Sequence, residues 1–398
     1  MRISTFSGVT HMSNPGPNPF EYGRELSLSE LINRKEELAL VETVIRNRGK
    51  LFIIGPRRFG KTSLLSAASE VASAAGVIVL RFDAEKFESL GLLAEALLTS
   101  ATRALKGPLD ATIKLLTRIA TRLKPQTSFD PQGGISVSVG VSEEIHGALP
   151  LLTDTLDAID QLAASSGREV VVILDEIQQI VIEHGIAAER QLRSTIQQHR
   201  HVGYIFAGSA TRLLTEMTHE PNRPFYRLGQ RIFLGTIPRS EFIAALRDGF
   251  RQGGFEPTAE ACEQIVDLAE DVPYNVQRLA HEAWEMLRSR GADALTEADV
   301  HVALDRLVGR EDTLYTQVWL TLRKNQKTAL KAVISEGGAS LLSGGVTRKH
   351  KISAASLQTA LRQLEDDQHI RQERSMGSAR YRLVDPFFAA WLRKSQSA

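Results

Sequence analysis

The hydrophobic pattern of the chain falls into two regimes. Unbroken apolar runs occur at Leu51-Phe52-Ile53-Ile54, Val77 to Phe82, Val170 to Leu174 and Tyr204 to Ala207, with a weaker one from Arg231 to Leu234. Short runs of this kind, bounded by turn residues, suit strands buried on both faces of a parallel sheet. Apolar residues at helical spacing separate them, and the alternation predicts a doubly wound α/β sheet. One such stretch, Leu28 to Arg46, precedes the first run and stops at the charged segment Arg46-Asn47-Arg48-Gly49-Lys50. Beyond Pro238 the runs cease. Amphipathic helices follow near 240 to 253, 258 to 269, 273 to 290 and 297 to 308, with Thr258 and Thr296 as expected N-caps and Gly291 as expected C-cap. No period of 20 to 50 residues recurs, which excludes solenoids and propellers.

The loop after the first run carries the chemistry. Gly55-Pro56-Arg57-Arg58-Phe59-Gly60-Lys61-Thr62 matches the G-x-x-x-x-G-K-[ST] phosphate loop at every fixed position, between an expected strand and a helix opening at Ser63. The two glycines let the backbone wrap a phosphate, Lys61 reaches the β- and γ-phosphates, and Thr62 offers its hydroxyl to Mg²⁺. Val170 to Leu174 ends in Asp175 and Glu176, the first placed to hold the metal through water and the second to orient or deprotonate the attacking water. Ser209, at the end of the next run, suits either a water-positioning role or an ordinary strand-to-helix turn. Arg223, Arg227 and Arg231 lead into the last run, each readable as an arginine finger acting across a subunit interface or as solvated surface.

Lys61 and Asp175 lie 114 residues apart. Two βα units of roughly 30 residues each need only about 60, so about 50 residues are inserted. The insert is expected over about 93–147, with a helix from Leu93 to Leu123 and an exposed, strictly alternating β segment from Gly133 to Val141. At the other end, a helix at Asn325 to Ile334, a basic turn at Val346 to Ser353 and a helix at Ala354 to Asp366 opened by Ser353 precede a hairpin. Ile370 to Arg374 and Ala379 to Leu383 frame its turn at Ser375 to Ser378. Helix, turn, helix and hairpin make a winged-helix pattern.

Composition narrows the class. The 398 residues are 42% hydrophobic and 24% charged, which excludes a disordered or collagenous chain. The lone cysteine, Cys262, excludes an internal disulfide framework and suits a reducing compartment. No apolar h-region opens the chain and no run of about 18 apolar residues occurs. A cytoplasmic protein without a membrane partner is expected. The net charge of +1 conceals a division: Arg323 to Ala398 carries +8 and the rest −7. Within the basic end, Arg348, Lys349, Lys351, Arg371, Arg374, Arg380 and Arg382 are candidates to neutralise phosphates, with Ser356, Gln358 and Arg362 on the expected recognition helix. A packing or protein-contact module fits the same residues. Aromatic residues among the cations are few apart from Tyr381, which disfavours single-strand stacking. No H-E-x-x-H, G-x-S-x-G or Cys/His cluster marks a second centre.

Together these motifs resemble the AAA+ superfamily, in its archaeal-type ATPase and STAND branch related to origin-recognition initiators. The resemblance spans nearly the whole chain. It implies a P-loop NTPase α/β domain of AAA+/ASCE type over 19–238 after a flexible arm at 1–18, a helical lid over 239–320 and a winged helix over 321–398. It also implies that Arg34, in Leu31 to Leu38, and Phe20 border the adenine, with Asn33 where the family usually has Gly. By the same resemblance Ser209 falls at sensor 1, Arg227 precedes the last strand, and Arg278 is a sensor 2 candidate. Val272 to Gln277 then looks like the start of a lid helix, with Asp271 where Gly is common, and Asp385 to Leu392 resembles the closing helix. The expected activity is slow hydrolysis of ATP with Mg²⁺, the ATP and ADP states switching presentation of the winged helix. The expected partner is double-stranded DNA. The alternative is a STAND-type signalling or defence switch whose winged helix meets a protein. An ATP-dependent homo-oligomer is compatible with either.

Overall fold

The computed structural model describes residues 16–105, 124–129, 135–140, 148–209, 212–375 and 378–397. The chain divides into two compact units, one of Glu25–Gly235 and one joining the described residues up to Arg24 to Thr236–Ala398.

In the first unit, β1 (Lys50–Gly55), β2 (Ile78–Asp83), β3 (Val170–Asp175), β4 (Val202–Ser209) and β5 (Gln230–Phe233) form one parallel sheet in the order β2-β3-β4-β1-β5. The expected strands are all present. Side chains alternate across a strand, and here both sets are apolar. Phe52, Ile54, Val172, Leu174, Tyr204 and Phe206 enter one core, under α3 (Leu90–Leu105), α4 (Ala148–Ser166) and α5 (Gln178–Ile196). Leu51, Ile53, Val171, Ile173, Ile205 and Ala207 enter the other, under α1 (Lys35–Arg46) and α2 (Lys61–Ala74). Burial on both faces explains why the runs carry no polar alternation. A short helix, α6 (Arg212–His219), follows β4.

Two expectations change here. The stretch from Leu28 is not one helix: Leu28–Glu30 is a single 3₁₀ turn and α1 starts only at Lys35. Asn33 and Arg34 between them are left-handed, at φ 59° and 71°. Asn33 tolerates this because its side chain accepts a hydrogen bond from the next amide, at 2.7 Å. The insert also begins later than Leu93. Leu93, Leu97, Leu98 and Leu105 of α3 are buried in the first core, because a helical apolar stripe has the same period whether it meets the sheet or not. Of the insert proper, Lys124–Phe129 pairs antiparallel with Ile135–Gly140, and the helix expected up to Leu123 lies, past Leu105, outside the described residues.

The second unit opens with α7 (Arg239–Gln252), α8 (Ala259–Leu268), α9 (Pro273–Arg290) and α10 (Glu297–Arg310). The Thr258 side chain accepts from the Ala261 amide at 3.1 Å, Thr296 forms a capping box with Asp299, and Gly291 ends α9 at φ 62°. Glu270 and Asp271 before α9 are left-handed, at φ 51° and 57°. The expected arm lies mostly outside the described residues, but Asn18 is held: its amide donates to the His281 carbonyl at 3.2 Å. Next come α11 (Asp312–Thr321), α12 (Lys324–Ser335), α13 (Gly344–Lys349), α14 (Ala354–Asp366), β6 (Ile370–Ser375), β7 (Ser378–Leu383) and α15 (Pro386–Ser397), with β6 and β7 antiparallel. The segment expected to be a basic turn overlaps α13, capped by Ser343; Gly344 and Gly345, weak helix formers, conceal it in the sequence. Helix α15 is fastened by Trp391 Nε1 donating to Asp312 Oδ1 at 2.7 Å and by Tyr315 donating to Asp385 at 3.2 Å.

The approach of β5 to β1 has a tight point at Gly229, where a Cβ would lie 2.3 Å from the Lys50 carbonyl oxygen. Gly229→Ala is therefore expected to cost about 1–3 kcal/mol. Urea unfolding followed by circular dichroism should show a lowered midpoint; an unchanged midpoint refutes the contact.

Candidate functional site

Parallel strands bring all their C-terminal ends to one edge of the sheet. Because β4 lies between β1 and β3, Ser209 pairs in register with Gly55, while Asp175 pairs with Asp83 of β2. The phosphate loop leaves β1 at Gly55, where a Cβ would sit 2.9 Å from that of Leu234, and enters α2 through Gly60 at φ 86°. Only glycine adopts that conformation without strain. Phe59 is buried beneath the loop and Arg57 and Arg58 are exposed on it.

Lys61 is buried, and its Nζ donates to the carbonyls of Gly55 and Pro56 at 3.0 and 3.1 Å. Burial holds its pKa down, opposed by the charges of Glu176 and Asp175. Thr62 donates from Oγ1 to Asp175 Oδ2 at 3.4 Å, and the Glu176 amide donates to Asp175 Oδ1 at 3.0 Å. Burial pushes the Asp175 pKa up, reinforced by the neighbouring Glu176 charge and opposed by Lys61. Glu176 is left-handed at φ 49°. Its carboxylate accepts from the Ser209 amide and hydroxyl, each at 3.2 Å, and from Gln178 Nε2. Ser63 is also engaged, its hydroxyl accepting from the Leu26 amide at 3.2 Å.

Sequence reasoning missed Gln178 and Asp83. Gln178 is buried behind Glu176, and room for it depends on Gly208, where a Cβ would fall 2.1 Å from its Oε1. Nothing in its spacing singles it out. Asp83 ends an apolar run as Asp175 does, a signal the sequence carried.

Arg34 is buried, with Nη2 donating to the carbonyls of Gly235 at 2.6 Å and Phe59 at 3.4 Å and Nη1 paired with Glu37 at 2.8 Å. It braces the loop against the end of the sheet. Phe20, expected beside Arg34 at the adenine, belongs to the other unit, where its ring lies 4.6 Å from that of Phe250. Of the three arginines leading into β5 or at its start, Arg223 pairs with the fully buried Glu189 at 2.6 Å and Arg231 donates to the Thr218 carbonyl at 2.7 Å. Arg227 is exposed at φ 57°, its guanidinium 5.0 Å above the Tyr226 ring. Arg278 in α9 pairs with Glu311 and Asp385, which makes it a brace for α15.

The basic end is less open than its charge suggests. Arg371 is only 12% exposed and pairs with Glu373 at 2.7 Å. Arg382 pairs with Glu373 at 3.2 Å and Glu270 at 3.6 Å, Arg380 donates to the Gly337 carbonyl at 2.6 Å, and Lys349 pairs with Glu336 at 2.8 Å. These four, expected to face phosphates, each have a partner within the fold, a carboxylate for Arg371, Arg382 and Lys349 and a backbone carbonyl for Arg380. The Arg374 side chain lies outside the described residues. Arg348, Lys351 and Arg362 remain exposed, Arg362 and Gln358 one turn apart on α14. Among the described residues no group of three or more His, Cys, Asp or Glu is placed to hold a metal, and no helix is long and apolar enough to cross a membrane.

The sheet order, phosphate loop, helical segment and hairpin-bearing end together make an α/β fold of AAA+ type with a C-terminal winged helix. Residues 313–394 match the family described as "Probable winged helix domain". Among solved structures, the chain is similar to a Walker-type ATPase of Pyrococcus abyssi, at 18% identity and TM-score 0.61 over 94% of this chain and 99% of that one. It is also similar to the Aeropyrum pernix ORC2 protein in ADPNP and ADP complexes, at 16% identity and TM-score 0.57 over 96% and 99%. No curated protein matches the chain.

A buried carboxylate with a raised pKa weakens the fold above that pKa, and the cost disappears as pH falls toward its unfolded value. Asp175→Asn, which keeps the acceptor for the Glu176 amide, should therefore raise the melting temperature of the ligand-free protein at neutral pH. The gain should shrink as the pH falls into the carboxylate range; a gain independent of pH would contradict the assignment.

Proposed function

We propose that the chain is a nucleotide-driven switch that binds ATP with Mg²⁺ at the Gly55–Thr62 loop, hydrolyses it slowly, and uses the nucleotide state to govern presentation of the winged helix to double-stranded DNA. The observation that carries this reading is the Thr62 hydroxyl 3.4 Å from Asp175, beside a buried lysine and one residue from Glu176. Hydroxyl and carboxylate are hard oxygen donors that suit Mg²⁺. When bound, the metal neutralises phosphate charge and polarises the γ-phosphoryl group. The loop amides and the start of α2 cradle the phosphates, and Lys61 exchanges two carbonyl acceptors for phosphate oxygens. Glu176 takes the proton of the attacking water once Ser209 and Gln178 release its carboxylate, a requirement that supports slow turnover. The nucleotide complexes of the Aeropyrum pernix protein agree with this use of the fold.

Duplex contact is supported by Arg348, Lys351 and Arg362, which are exposed on α13, α14 and the segment between. A protein partner, as in a STAND-type switch, is the second reading; the internal pairing of Arg371, Arg380, Arg382 and Lys349 favours it. Arg227, exposed and stacked on the Tyr226 ring where Arg223 is held by Glu189 and Arg231 by the Thr218 carbonyl, is the choice for a finger acting in trans within an ATP-dependent homo-oligomer. The lone cysteine, Cys262, buried and without a disulfide, suits a cytoplasmic setting.

Glu176→Gln should retain ATP binding and lose turnover by about 100-fold or more; equal turnover removes Glu176 from the chemistry. Charge reversal of Arg348, Lys351 and Arg362 should weaken duplex binding and flatten its dependence on salt. Light scattering with ATP and duplex tests assembly, and a monomer in every condition rules out Arg227 in trans.

A further inference from the structure

The winged-helix segment carries a second cationic face that the sequence motifs left unassigned. From Arg323 to Ser335 there are four cations, Arg323, Lys324, Lys327 and Lys331, and no carboxylate. Lys324, Lys327 and Lys331 recur at three and four residues, which sets them on one stripe of α12, opposite the buried Leu330 and Val333. None of these three lysines forms an ion pair among the described residues. That sets them apart from Lys349, Arg371 and Arg382, each of which has a carboxylate partner.

The stripe is ordered by a neighbouring ring. The ammonium groups of Lys327 and Lys331 lie 5.3 and 5.7 Å from the centroid of Trp319 on α11. The ring face attracts each cation, but the two repel one another, and neither has a carboxylate partner among the described residues. The stripe also runs into the rest of the basic surface. Ser335, one turn beyond Lys331, lies 3.3 Å from His350, and Glu336 pairs with Lys349 and His350 where α13 ends beside the exposed Arg348.

We propose that α12 is a phosphate-contacting face of the duplex interface, with Lys324, Lys327 and Lys331 meeting backbone phosphates beyond those reached from Arg348, Lys351 and Arg362. This rests on the duplex reading given above. From Lys324 to Lys331 the helix rises about 10 Å, the axial length of about three nucleotides of one strand. Trp319 presents its face to two ammonium groups, so it orients cations and leaves no platform for a base. That favours double-stranded backbone over a single strand.

The test uses the full chain and a 30-base-pair duplex, with affinity measured against salt concentration. Replacing the three lysines by Gln should lower the slope of log affinity on log salt by about 2.7, at about 0.9 per phosphate contact. ATP turnover and the circular dichroism spectrum should stay unchanged. Replacement of all three by Arg should restore the slope, which a merely structural role would not require. A Gln variant with the wild-type slope overturns the α12 face and leaves the duplex reading at Arg348, Lys351 and Arg362 standing. A wild-type chain that binds no duplex at low salt overturns both.

Discussion

The pairing of β4 between β1 and β3 is the constraint on which the site depends. It aligns Ser209 with Gly55 and leaves Asp175 one strand further, so the loop, the Asp175 carboxylate and the polar end of β4 share one edge. The register has no slack. A slip of one residue along β3 would exchange the side chains of two apolar cores and displace Asp175 from Thr62. Packing on both faces of the sheet thus fixes the geometry of groups that contribute little to it.

Those groups are held at an energetic cost. Burial pushes Lys61 and Asp175 toward their neutral forms, and their mutual attraction only partly offsets this. The Lys61 ammonium settles on two backbone carbonyls, and Glu176, in a left-handed backbone, shares its carboxylate with Ser209 and Gln178. An arrangement that satisfies its own charges through exchangeable partners is suited to receive a polyanion with its cation. Surrounding packing tolerates the strain, as functional sites commonly require.

In the second unit the economy of charge is reversed. Most wing arginines are committed to the fold: Arg371 and Arg382 to Glu373, Arg382 also to Glu270 on the loop before α9, and Arg380 to the Gly337 carbonyl. Among the described residues, exposed cations without an ion pair lie on α12, at Arg348 and Lys351, and at Arg362 of α14. The left-handed turns at Asn33 and Asp271 show a related thrift, since short polar side chains that tolerate this backbone stand there.

The strands, the helix caps at Thr258 and Thr296, the hairpin and the phosphate loop were legible because each is written in neighbouring residues. Burial on two faces, a capping hydroxyl and a glycine-bearing loop all act over a few positions. The late start of the insert, the break before α1, Gln178 behind Glu176 and the fate of the wing arginines were not legible. Each depends on which distant group a side chain meets: α3 on the sheet it covers, Gln178 on the space left by Gly208, Arg382 on Glu270. The sequence by itself determined the elements and the chemistry at the end of β1 and β3. Only the tertiary structure decided which cations stay free and which are neutralised within the fold, because an ion pair is set by distance in space and leaves no period along the chain.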